Sequence, residues 1–444
     1  MSLASTAPGL ISRTTGYLRA SGFFDEGGTV DAYLAFEAAL AEVEGDLGVI
    51  PEEAVAPIVS VCRRDLIDMD ALRNGAVAVG YPIVPLVSML AELAGEHGQW
   101  VHYGTTTQDV MDTAQVLQIR GALTGIFSDM QDVEGFLAAL CQDHKDTAMA
   151  GRSKLQHGVP ISFGYKSAVW LDQIQRTREG VQRALDDASM LQFGGAIGTL
   201  ASLQGAGLSV RSALAKRLDL HEPIISWHVS RDRTAMLATA VASLLGALAK
   251  MAVDIALMMS TEVQELQEPA AKGRGSSSTM PQKRNPVMCE AIIEAAREVQ
   301  HVPSIILDAM LQEHERGIGH GYRERTAICN AICLLSGAVT LAKDLLTGLK
   351  VDTARMQRNL GATKGLIQSE AVMIYLSERF GRIKAHDILH EVSHQVILKK
   401  SDLETELARL GLEVPPAILA EDAQIAHAYG MIDQVLCKRR LPAL

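Results

Sequence analysis

Proline is absent from Leu86 to Val159, from Ile224 to Glu268 and from Ser304 to Val414. A proline inside a helix costs about 3 kcal/mol, so gaps of this length are where long helices can run. Apolar residues recur within them at helical spacing: Met236, Ala240, Leu244, Leu248, Met251, Ile255 and Met258 can line one side of a helix. Ala238, Leu245 and Ala252 make the other side apolar too. A helix apolar nearly all round must be covered, so this one is expected at the centre of a bundle, between subunits of an oligomer. Aromatics are only 4% of the chain, and no stretch alternates with the period of a strand as strongly as these segments repeat with that of a helix. The fold class expected is all-α, in three domains: 1–112 with short helices broken by Gly80, Pro82 and Pro85, 113–360 with the long helices, and 361–444.

Composition removes some functions. The formal net charge is −11, which argues against a nucleic-acid partner but not against a small anion held by a few local cations. The opening residues lack the charged-then-apolar pattern of a signal peptide. The apolar stretch from Thr234 to Met259 carries Lys250 and Asp254 and is a poor membrane span. Cys62, Cys141, Cys289, Cys329, Cys333 and Cys437 complete no metal set with a neighbouring histidine and read as free thiols of a cytoplasmic protein. No metal, membrane or organic cofactor is expected.

One loop carries chemistry. Pro269 to Pro286 reads PAAKGRGSSSTMPQKRNP, with Gly273, Gly275, three serines and the cations Lys272, Arg274, Lys283 and Arg284. Glycine and serine at this density give a mobile segment whose amides can converge on an anion, and the cations add charge. By composition alone it is also a linker or a phosphorylation site; it lacks the order of a P-loop. A second stretch, Gly104 to Thr113, reads GTTTQDVMDT: a helix N-cap whose exposed amides can bind an anion.

The run Ser277 to Pro286 resembles the signature loop of the fumarase/aspartase superfamily, SSxMPxKxNP, at every fixed position. The resemblance implies Ser277 as general base, acting as an alkoxide under a closed loop, and Lys283 and Asn285 as the groups that bind and polarise a substrate carboxylate, with Ser278 and Met280 beside the substrate. Gly104 to Thr113 is similar to the superfamily's GxTSxDxxDT region, giving Thr106 and Thr107 a carboxylate to hold. In Gly151 to Pro160, GRSKLQHGVP, Lys154 stands where many of these lyases have a catalytic histidine, and Glu290 stands where that histidine's carboxylate partner is found. A Lys154–Glu290 pair could supply a proton to the leaving group, or be a structural salt bridge. Gln156, His157, His228 and His320 are further candidate substrate contacts. Gln312 to Arg325 resembles a segment of adenylosuccinate lyase that places Arg316 and Arg325 against anionic groups.

Among branches, VHYGTTTQDVMDT, LQFGGAIGTLASL and Trp227-His228 resemble 3-carboxy-cis,cis-muconate cycloisomerase. The chain departs from that branch at Lys154, where the bacterial cycloisomerases carry Trp, at Glu290, and through Gly319 to Arg323. It departs from adenylosuccinate lyase at Val77 to Tyr81 and at Gly321. The expected function is a lyase acting on a succinate-type substrate, with C–N cleavage of an N-substituted aspartate as first reading. The alternatives are the lactonising cycloisomerase and a catalytically silent helical scaffold. The resemblance also implies a homotetramer with active sites shared between subunits.

Overall fold

The computed structural model describes residues 9–271, 273–319 and 321–439. Helices dominate, as the proline gaps imply, and the chain has the all-α fumarase-type fold. Those used below are α1 (Glu26–Asp46), α2 (Thr107–Asp143), α3 (Phe163–Ala188), α4 (Asp232–Met258), α5 (Val287–Val299) and α6 (Gly321–Thr347). Two small antiparallel sheets interrupt them: the hairpin β1 (Ala148–Ser153) with β2 (Gln156–Ser162), and a two-residue pairing of β3 (Leu266–Gln267) with β4 (Lys350–Val351). The chain divides into two compact units. The first comprises Met1–Met130, Thr177–Ala249 and Ala291–Leu341, the second Gln131–Arg176, Lys250–Glu290 and Ala342–Leu444.

The first unit has a core built from Phe36 and Leu40 of α1, Ile83, Leu86, Leu90, Val110 of α2, Leu191, Phe193 and Leu214. Helix α1 starts where the Asp25 carboxylate accepts the Gly28 N–H at 2.8 Å. Two acids of α1 are buried in this core. Glu37 meets His102 Nδ1 at 2.6 Å, while neither oxygen of Glu44 has a hydrogen-bond partner among the described residues. In the second unit, Val372, Leu376, Leu389, Val392, Val396, Leu403 and Leu407 form a core under the C-terminal helices.

Helices α4 and α6 are long and apolar enough to cross a membrane, but 50% and 72% of their most apolar windows are buried inside the structure. Leu244, Leu248, Met251, Ile255 and Met258 of α4 are buried as expected, and so are Ala238, Leu245 and Ala252. Met236 is not: it is 66% exposed. The outer stripe runs Met236, Ser243, Gly246, Lys250, Val253, Leu257, which leaves part of α4 uncovered in the single chain. The charge at Asp254 is accounted for: its carboxylate accepts the Trp170 indole N–H at 2.7 Å and pairs with Lys250 and, at 3.6 Å, Lys166. Of the six thiols, Cys141, Cys289, Cys329 and Cys333 are buried, Cys62 is half-buried and Cys437 exposed; all are free.

The unpartnered Glu44 makes stability depend on pH. Burial, and then the charge of Glu37, push its carboxyl from 4.5 up to about 9. The folded state therefore holds a proton that the unfolded state releases above pH 4.5, so this group's contribution to stability falls as pH rises from 4.5 towards 9. Glu44→Gln should remove that slope. Denaturant midpoints should match wild type near pH 5 and exceed it by a growing margin towards pH 8.5.

Candidate active site

Each unit carries a distinct set of the residues singled out above. In the first, the Gly104–Thr113 segment turns from loop into α2 through a capping arrangement: Asp109, three residues into the helix, reaches back to the Thr106 N–H at 3.2 Å and to the Thr105 hydroxyl at 3.2 Å. Thr106 and Thr107 are thereby held half-exposed at a helix N-terminus, where amides and the helix dipole favour an anion. Gly104 is needed for the entry, since its φ is +66° and a Cβ there would lie 2.3 Å from Leu203.

Asp109 is fully buried and does more than cap. It accepts the amides of Gly194 and Gly195 at 3.0 and 2.9 Å and meets His228 Nε2 at 2.7 Å. One helical turn on, Asp112 is buried against Arg231, at 3.0 and 3.2 Å, and against Arg325. Burial alone would raise the Asp112 carboxyl pKa; Arg231 and Arg325 outweigh it and hold the group below the usual carboxylate range. Glu324 takes the other face of Arg231 at 2.8 to 3.2 Å. Gln108 ties this cluster outward, donating to Asp112 at 3.1 Å and to the His228 carbonyl at 2.8 Å, and accepting from Arg316 at 2.7 Å.

The first unit thus brings Thr106, Thr107, His228, Arg316 and Arg325 together, but not all as free substrate ligands. His228 is 3% exposed and engaged by Asp109. Arg325 donates to Asp112, the Met111 carbonyl and Gln115. Arg316 is half-buried, with Nη2 on the carbonyls of Gly195 and Ala196 at 2.8 and 2.9 Å. Burial lowers its pKa, while Asp109 and Asp112 pull it back up. His320 lies outside the described residues, as does Lys272.

The second unit holds the signature loop and the hairpin. The loop is closed at its neck rather than trailing free. The Asn285 N–H donates to the Gly275 carbonyl at 2.9 Å, Ser276 and Arg284 form an antiparallel bridge, and Lys283 N–H donates to the Met280 carbonyl at 3.0 Å. Glu268, just before the loop, caps α5 just after it: its carboxylate accepts the Met288 and Cys289 amides at 3.2 and 2.8 Å. Ser277 Oγ accepts the amides of Thr279 at 3.3 Å and Met280 at 3.1 Å. Ser278, Met280 and Lys283 are exposed and Asn285 half-buried. No ion pair of Lys283 is found among the described residues.

Gly151 to Pro160 is the β1–β2 hairpin. Ser153 pairs with Gln156, so Lys154 and Leu155 are its two turn residues, with φ of 50° and 64°. A two-residue turn of this kind favours Asn-Gly, and two ordinary side chains there store strain. The hairpin is tied down by Arg152, which grips the buried Glu265 with two bonds of 2.6 and 2.9 Å, Asn359 adding a third at 2.7 Å. Lys154 stands exposed at the tip, and Glu290 is exposed in the first turn of α5. Among the described residues neither forms an ion pair, so their pairing is not made within the single chain. Gln156 is exposed; His157 is half-buried, its Nδ1 without a hydrogen-bond partner among the described residues, and burial followed by Arg152 lowers its pKa.

Residues 5–301 match the family described as Lyase. The chain belongs to this family, within the fumarase/aspartase superfamily. It is similar to 3-carboxy-cis,cis-muconate cycloisomerase of Bradyrhizobium diazoefficiens, 40% identical over 93% of this chain and 94% of that protein. It is also similar to N-acetyl-S-(2-succino)cysteine lyase of Enterococcus italicus, 35% identical over 81% of this chain and 79% of that one. The crystal structure of the 3-carboxy-cis,cis-muconate lactonizing enzyme from Pseudomonas putida superposes with a TM-score of 0.89 at 36% identity, covering 95% of this chain and 96% of that chain. The chain is an enzyme of this superfamily, whose members act on small carboxylates.

Sequence reading passed over Asp112, Arg231, Glu324, Glu265 and Glu268 as working parts. Asp112 stands at a fixed position of the GxTSxDxxDT region; the signal of the others was that charged residues lodged inside or beside apolar runs can be buried only with partners. A prediction follows from the loop neck. Gly275 has φ of +67°, and a Cβ there would lie 2.5 Å from the Asn285 carbonyl oxygen. Gly275→Ala should lower kcat by about tenfold or more while the melting temperature moves by only a few degrees, because a strained exposed loop costs about 1 kcal/mol globally but misplaces its serine locally.

Proposed function

We propose that this lyase removes a proton α to a carboxylate with Ser277 and expels a heteroatom from the adjacent carbon of a succinate-type substrate. The observation that carries the reading is the setting of Ser277 Oγ. Two backbone amides point at it, in a loop that also presents the Lys283 ammonium. Fixed N–H dipoles aimed at an oxygen favour its anionic form, and the same loop supplies cations for the dianionic aci-carboxylate that proton removal creates. The C–H proton passes to Ser277 Oγ, the electron pair becomes the new C=C bond, and the carbon–heteroatom bond breaks. Its electron pair leaves with the amine or thiol, which takes a proton from Lys154 once a carboxylate such as Glu290 orients that ammonium. Lys283 and Asn285, with Thr106, Thr107 and Arg316, hold the carboxylates in the assembled enzyme. The assembly we infer is a homotetramer in which different copies contribute these groups; the uncovered stripe of α4 supports it.

Nitrogen of an N-substituted aspartate is the leaving atom of first choice. The likeness to N-acetyl-S-(2-succino)cysteine lyase supports a thioether as the neighbouring possibility. A second reading, lactonising cycloisomerisation, draws on the 40% identity to the Bradyrhizobium diazoefficiens enzyme. It uses the same α-proton chemistry with an internal carboxylate as partner. The polar Lys154 at the hairpin tip favours the elimination.

Ultraviolet absorbance on aspartate, N-substituted aspartates, an S-succinyl thiol, malate and 3-carboxymuconate separates these. Growth of an enoate band with one substituted succinate, cut about 10²–10⁴-fold in Ser277→Ala, is the expected result. Loss of the muconate band alone would make the protein a cycloisomerase. Turnover undiminished in Ser277→Ala would remove the serine from the mechanism.

A further inference from the structure

Hydrogen bonds on both ends of its amide leave one side chain of the first unit no choice of orientation. Gln108 follows Thr107 in the first turn of α2. Its Nε2 donates to the Asp112 carboxylate at 3.1 Å and to the His228 carbonyl at 2.8 Å. Asp112 is held below the usual carboxylate range by Arg231 and Arg325, so it is ionised, and both groups can only accept. The amide cannot be turned round without setting its oxygen against two others. Gln108 Oε1 therefore faces the donor on its other side, Arg316 Nη1 at 2.7 Å. The buried acid at Asp112 thus settles, through one amide, where a guanidinium distant in sequence can rest.

Arg316 has little freedom of its own. Its Nη2 donates to the Gly195 and Ala196 carbonyls at 2.8 and 2.9 Å. Asp109 holds the same segment by the Gly194 and Gly195 amides, at 3.0 and 2.9 Å, while it caps Thr106 at 3.2 Å. A guanidinium grips a carboxylate with two prongs either through Nε and Nη2 or through both Nη atoms. Each of those forks needs Nη2, and Nη2 is committed to the two carbonyls. What Arg316 keeps for an anion is its charge and single bonds from Nε and from the second Nη1 hydrogen, which have no partner among the described residues. A single bond has a direction only if the group that donates it is held still. Among the described residues, Gln108 is the side chain that accepts from Arg316; its other two acceptors are backbone carbonyls.

We infer that Gln108 is a positioning residue for the carboxylate site proposed at the start of α2, and that it acts through Arg316, fixing where that cation stands beside Thr106 and Thr107. The inference rests on the proposed function for the presence of a carboxylate there. Isothermal titration of the purified full-length protein with fumarate compares wild type, Gln108→Met, Arg316→Ala and the double variant, with circular dichroism and sedimentation verifying fold and assembly. Methionine matches glutamine in length and helix propensity and makes none of its hydrogen bonds. Gln108→Met should raise the fumarate Kd about tenfold, the loss expected when a charged group loses a hydrogen-bond partner. In the Arg316→Ala background the same change should move Kd by less than about twofold, because the group it positions is gone. A side chain that merely supports α2 would weaken binding by the same factor in both backgrounds. That result, or a Kd for Gln108→Met within about twofold of wild type, would overturn the inference. Failure of the elimination reading would show separately, as fumarate binding that follows the expected pattern in a protein that forms no enoate product.

Discussion

Two buried carboxylates at the start of one helix organise the first unit's candidate site. Asp109 and Asp112 are one turn apart on α2, and neither reaches solvent. A buried acid is tolerable only with partners, and removing one partner of such a pair costs about 3–5 kcal/mol. Each therefore recruits groups from distant segments: Asp109 takes Gly194, Gly195 and His228, and Asp112 takes Arg231, Arg325 and Gln108. The consequence reaches the surface. Held from beneath, Thr106 and Thr107 stay half-exposed at the start of α2, and Gln108 accepts from Arg316 beside them.

The second unit solves a related problem with backbone rather than charge. A glycine- and serine-rich loop would ordinarily sample many conformations. Here the loop is pinned from both ends, by Glu268 capping α5 and by the Gly275–Asn285 neck, so that the freedom left lies at its tip. The hairpin is built on the same plan, with Arg152 and Glu265 locking its base and two strained residues at its turn. In both, a base held by hydrogen bonds carries an exposed polar tip.

Much of this was legible in the sequence, for reasons that differ by element. The long helices follow from the proline gaps because an interior proline costs a helix about 3 kcal/mol; Pro57 lies inside the short helix Glu52–Val61, but none interrupts a long one. The loop was legible because its residue order, and not its composition, is distinctive. The phase of α4 was not legible, because a helix apolar on all sides has none: Met236, expected to be covered, is exposed in the single chain while Leu244, Leu248 and Ile255 are buried. The Lys154–Glu290 pair was read from the resemblance to the superfamily, and a motif match does not tell a contact within a chain from one between copies. The ion network under Thr106 escaped because its members are scattered from Asp109 to Arg325, and only the fold brings them together. His228 and Arg325, taken as substrate contacts, turn out to be engaged by these same carboxylates.

If the Asp109 carboxylate shapes the anion-binding turn, Asp109→Asn should weaken it specifically. The most direct measurement is titration of wild type and this variant with fumarate, alongside circular dichroism and sedimentation to verify fold and assembly. The expected result is a folded, correctly assembled variant whose fumarate Kd rises at least tenfold, since an amide cannot receive two glycine amides and an imidazole as the carboxylate does. An unchanged fumarate affinity in the folded variant would contradict the account and separate the buried network from the site above it.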